Sequence, residues 1–199
     1  LQQAWFDVNF KESLRLRAGK FKTPFQHGYL TTLGQTLFPA LPSSMTTPVR
    51  TNLSLDAVQP SIYTGFDIGV QLHGTIKNRY GYEVGIFNGS GIGVNTATVG
   101  TSDDHRWLPS LLYAARLSYM PKGEMPTHQG DPGDLHNDKM ILALSGSLKV
   151  EGNSESSNDF RGGVEFAWIK DRLYLAAEAY LLNMQWTKRM QRSGSFTSW

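Results

Sequence analysis

Arg15 and Arg17 stand two residues apart in the run LRLRAGKFK. In an extended chain they share one side, about 6.6–6.8 Å apart along the strand. Two guanidinium groups at that spacing can pass an anion from one to the next, each through charge-assisted hydrogen bonds. Lys20 and Lys22 continue the basic stretch, and Pro24 ends regular pairing just beyond them, which points them toward a vestibule. Arg116, Lys149 and Arg161 fall on the polar sides of their own strand-like stretches and extend the same candidate path. The alternative use of these cations is local: pairing with Asp7, Asp67, Glu83, Glu165 and Glu178 across neighbouring strands would fix register and add little selectivity.

Other chemistries find no foothold. The glycine-rich NGSGIGVNTATVG (residues 88–100) lacks the Gly-Lys-Ser/Thr ending of a phosphate loop and opens no helix. His27, His73, His105, His128 and His136 include no i, i+4 pair and no HExxH, so no metal site is expected. Asp131, Asp134 and Asp138 depart from the alternating ligands of an EF-hand loop. Glu165 and Glu178 face the polar side of adjacent strands as two glycosidase carboxylates would, but a polar lumen accounts for them more simply. We therefore expect no enzyme and no cofactor.

The elements that must hold these residues are strands. The chain has 199 residues, 18% charged and 12% aromatic, with 20 glycines and no cysteine. Mean hydropathy is −0.33, and no apolar run approaches the roughly 20 residues of a spanning helix. A formal charge of +2 gives no argument for nucleic acid as a partner.

Two-residue alternation dominates. Phe6, Val8 and Phe10 oppose Trp5, Asp7 and Asn9; Leu14, Leu16 and Ala18 oppose Arg15, Arg17 and Gly19. The same pattern returns over residues 66–74, 80–88, 110–120, 139–150, 160–169 and 173–186, and a ninth stretch opens at 195–199. That reads as one all-β domain over residues 1–199, an antiparallel barrel of about 8–9 strands. A sequence that begins and ends in mid-pattern predicts a piece of a longer chain.

Strands of this length with one continuous apolar face suit an outer membrane crossed at a tilt. Short turns at 11–13, 75–79 and 170–172 alternate with long stretches at 23–65, 89–109 and 151–159, and Phe10, Phe66, Tyr80, Tyr119, Phe160 and Trp168 sit near strand ends as an aromatic girdle would. Residues 121–138 break the rule, either as a long turn-side connection or as a miscounted strand. Residues 23–65 lack a period but hold five prolines among leucines and phenylalanines, which predicts a folded segment. We expect it in the lumen, with Arg50 adding charge; the alternative is a cap on a neighbouring protomer. A soluble ligand-binding barrel, with the apolar face inside, is the remaining alternative to a membrane barrel.

Five segments carry a family resemblance. LRAGKFKTPF (16–25), GVQLHG (69–74) and YEVGIFNGSG (82–91) resemble, in order and spacing, the phosphate-selective porin O/P family, and FRGGVEFAW (160–168) and LYLAAEAY (173–180) look like its paired strands with an inward glutamate. The resemblance implies about half of a 16-stranded, homotrimeric barrel in the bacterial outer membrane, surrounded by lipid and passing phosphate or similar small anions through a basic lumen. The lumen of this chain reads as mixed rather than purely basic. A structural barrel serving as anchor or docking partner is the rival function.

Overall fold

The computed structural model describes residues 3–31, 66–88, 111–125, 138–150, 158–171 and 173–185. Eight strands follow one another: β1 (Ala4–Lys11), β2 (Leu14–Lys22), β3 (Phe66–Ile76), β4 (Tyr80–Phe87), β5 (Leu111–Tyr119), β6 (Asp138–Val150), β7 (Asn158–Lys170) and β8 (Leu173–Gln185). They form one antiparallel sheet in sequence order, with β1 and β8 at its edges. Each corresponds to an alternating stretch of the sequence; residues 195–199 lie outside the described part. One turn of helix, α1 (His27–Leu30), follows β2.

Turn chemistry pins the register. Lys77 and Asn78, between β3 and β4, both have φ of 52°, the left-handed values of a tight hairpin turn whose twist matches that of its strands. Across the connection that broke the short-turn rule, β5 pairs β6 directly from Leu111↔Val150 to Tyr119↔Leu142, so no strand stands between them in the sheet of described residues. Residues 120–125 turn away from β5, with the Met120 amide donating to the Arg79 carbonyl (2.7 Å) and the Gly123 amide to the Met120 carbonyl (3.1 Å).

The sheet is apolar outside and polar within. Phe6 and Leu144 are each 61% exposed and Ile68 58%, while on the opposite face Asp67 is fully buried and Gln71, Glu165 and Arg116 are nearly so. A soluble barrel would reverse this arrangement. Two apolar clusters sit on the polar face: Phe21, Phe87, Leu112 and Ala114 toward the long connections, and Met120, Met125, Ile141, Ala167 and Ile169 toward the turns.

The sheet must curl toward that polar face. Laid flat, β2 and β8 would be six interstrand spacings apart, about 29 Å. Yet Gly28, six residues beyond the end of β2, donates its amide to Glu178 Oε1 on β8 at 2.7 Å. Six residues reach about 21 Å at full extension, so the strands between them are bent around the segment that crosses their inner face.

An outward face this apolar gives a sharp expectation. Leu144→Arg, at the centre of β6, should cost about 2–4 kcal/mol in reversible unfolding from lipid vesicles. A water-exposed strand face would tolerate the same change within roughly 0.5 kcal/mol.

Candidate functional site

Register assembles the inward charges into rows. Arg15 lies opposite His73, His73 opposite Glu83, Glu83 opposite Arg116, and Arg116 opposite Ser145. Each step is one strand spacing, about 4.8 Å. The next row toward the long connections runs Asp7, Arg17, Gln71, Gly85, Ala114, Ser147, Arg161. Glycine, alanine and serine at intervening positions leave room for the long cationic arms.

Most of these cations are engaged. Arg17 donates to Asp7 Oδ2 from Nε (3.1 Å) and Nη2 (2.9 Å), and His73 Nε2 lies 3.0 Å from the same oxygen. The Arg17 guanidinium also stacks 4.5 Å from the Trp5 ring centroid and 5.6 Å from that of Phe21. Arg116 reaches two ways, from Nε to Glu165 Oε2 (2.8 Å) and from Nη1 to Glu83 Oε1 (3.3 Å). Gln71 Nε2 donates to the other oxygen of Glu83 at 3.3 Å. Arg15 differs from both: it makes no ion pair with a described residue, and its Nε is buried without a hydrogen-bond partner.

The remaining predicted cations are placed as follows. Lys20 and Lys22 lie opposite Ile68 and Phe66, on the parity of Leu16 and Ala18 rather than that of Arg15 and Arg17. Lys22 nevertheless reaches to the long segment, donating from Nζ to the carbonyls of Leu30 (3.3 Å) and Thr31 (3.0 Å). Lys149 and Arg161 share the inward parity toward the long connections, and both interact with neighbours. Arg50 lies outside the described residues. Among the described residues, no group of three or more His, Asp or Glu side chains could hold a metal ion.

Residues 23–31 cross over this charged surface, held by partners that no local period reveals. Thr23, Pro24, Phe25 and Gln26 are buried; the Phe25 ring packs 5.3 Å from that of Tyr180 on β8. Gly28 is held by Glu178, and Glu178 in turn accepts from the Tyr180 hydroxyl. Gln26 adopts a left-handed φ of 69°, which turns the chain into the single helical turn.

His27 is carried by that turn to the neighbourhood of Arg116 and Glu165. Burial, assisted by the charge of Arg116 and opposed by Glu165, brings its pKa down from 6.5 to about 4. The released segment binds more protons than the docked one between these values, so docking stability rises with pH there. It is complete above about pH 6.5 and is lost as pH falls toward 4. Hydrogen exchange of the amides of residues 25–31, corrected for intrinsic rates, should accelerate between pH 6.5 and 4, and His27→Gln should flatten that dependence.

The Arg116–Glu165 pair gives a second expectation, since the Arg116 and Glu165 side chains are only 6% and 1% exposed. Arg116→Met strands a buried carboxylate and should cost about 3–5 kcal/mol in urea unfolding. Adding Glu165→Met should recover much of the loss.

Neither the curated proteins nor the solved structures give a match to the chain. A family does: phosphate-selective porin O and P matches residues 1–199, the whole sequence. Its members are channels rather than enzymes, and the family implies a bacterial outer-membrane location. With eight antiparallel strands among its described residues, an apolar outer face and an inner face banded with arginine, the chain belongs to the phosphate-selective porin O and P family.

Proposed function

We propose that small anions, phosphate among them, pass along the inner face of this sheet by way of Arg15 and Arg17, and that Arg116, Lys149 and Arg161 shape the field they cross. The observation that carries this reading is the contrast on one face between Arg15, which has no ion pair among the described residues, and its compensated neighbours. Arg15 offers an anion replacement for part of its hydration shell. Arg17 commits only Nε and Nη2 to Asp7, which leaves other guanidinium N–H groups for a passing ion. Asp7 and Glu83 hold the net potential low, so the ion is released again.

Residues 23–65 narrow this path in our reading. The support is the docking of residues 23–31 across the inner face, tied to β8 through Gly28 and to β2 through Lys22. We extend the family resemblance to a homotrimer in the bacterial outer membrane, with lipid against outward residues such as Ile68, Val84 and Leu144. The docked segment also suits a plugged barrel that serves as an anchor, and conductance separates the two.

The test is the reversal potential of the full-length protein in a planar bilayer under a salt gradient. Anion-selective steps are expected, and Arg15→Glu combined with Arg17→Glu should move the selectivity toward cations while the protein still folds. An unchanged anion preference in that double variant would remove both residues from the path. Silence from folded protein would favour the anchor.

A further inference from the structure

The inner face carries a half-open cleft of about 370 Å³. That is room for roughly a dozen waters, and within the range of pockets that hold organic molecules. A bare tetrahedral anion would leave most of it empty. Its two sides are chemically unlike. Arg15, Arg17 and His73 line it from β2 and β3 with Glu83 beside them on β4, while Leu30 of the docked segment and Met120, Glu124 and Met125 of the β5–β6 connection complete the lining.

The apolar side belongs to the turn-side one of the two apolar clusters on the polar face. Met120 continues the inward parity of Arg116 and Ser118, and Met125 folds back onto it, its amide 3.5 Å from the Met120 sulfur. Both are buried, packed with Ile141. Unbranched thioethers fit bodies of varied shape. On the cationic side, Arg15 Nε lacks a hydrogen-bond partner and Arg17 is stacked in place by Trp5 and Phe21.

Building on the pore reading above, we propose that this cleft is a binding site for organic phosphates: a phosphate monoester seats its head on Arg15 and Arg17 and lays an apolar body against Leu30, Met120 and Met125. The pore then discriminates by the attached group as well as by charge. Inorganic phosphate occupies only the cationic half and passes with weaker retention.

Single-channel recording of the full-length protein tests this, with phenyl phosphate, inorganic phosphate or phenol added to a chloride electrolyte at pH 7. Phenyl phosphate should halve the current at about a tenfold lower concentration than inorganic phosphate, and phenol should have no effect at either concentration. Met120→Ser with Met125→Ser should shrink the tenfold ratio to about twofold, while Met125→Leu should retain it. Equal concentrations of phenyl phosphate and inorganic phosphate for half-block would overturn the site, as would block by phenol matching that by phenyl phosphate. Folded protein that carries no current would overturn the pore reading and this site with it, whereas anion-selective current without the tenfold ratio overturns the site only.

Discussion

A strand that touches hydrocarbon has to satisfy its backbone N–H and C=O groups from neighbouring strands and turn apolar side chains outward. With a two-residue period, everything else is driven to the other face. The outward set here is Phe, Val, Ile, Leu and Tyr; the inward set gathers Asp7, Arg17, His73, Glu83, Arg116 and Glu165 on a surface too crowded for each charge to stay hydrated. The inner face must therefore compensate itself. Its ion pairs follow from the outer one being apolar.

Compensation also governs which positions are small. Arg116 on β5 reaches Glu165 on β7, two strands away, and the intervening strand offers Ala143 and Ser145 along the way. Gly163 serves in the same way for β8: a Cβ there would stand 2.3 Å from the Tyr180 ring, so only glycine lets that ring lie across β7. Tyr180 then meets Phe25, and the docking surface for residues 23–31 is complete. The pattern of small residues is as specific to the site as the pattern of charges.

Strands and faces were legible in the sequence because alternation is strict; each of the eight stretches emerged with the inward set its parity predicted. Parity also carried information about Lys20 and Lys22, whose even numbers place them with Leu14 and Leu16, but reading them as a run of charge grouped them with the arginines. Pairing between adjacent strands, as for Arg17 and Asp7, could be anticipated. The reach of Arg116 over β6 could not, since the alternation says which side a residue takes and nothing of how far its arm extends. Length, prolines and apolar content marked residues 23–65 as a folded segment, but the partners of residues 23–31 were not legible: Tyr180 and Glu178 come some 150 positions later and leave no local period. Met120 closes the stretch read as 110–120 and Met125 sits in the connection that had looked anomalous, and their packing gives that connection a role on the inner face.

The amide of Gly28 on Glu178 has a mechanical meaning. A curved sheet resists bending, and its radius is ordinarily a compromise between strand twist and the pairing of its edges. Here a strut joins β2 to β8 from the inside, anchored at one end by Lys22 on the Leu30 and Thr31 carbonyls and at the other by Glu178. The segment lying on the inner face is thus also a brace for the wall: its position and the curvature of the sheet are set by the same few bonds, and neither can relax without the other.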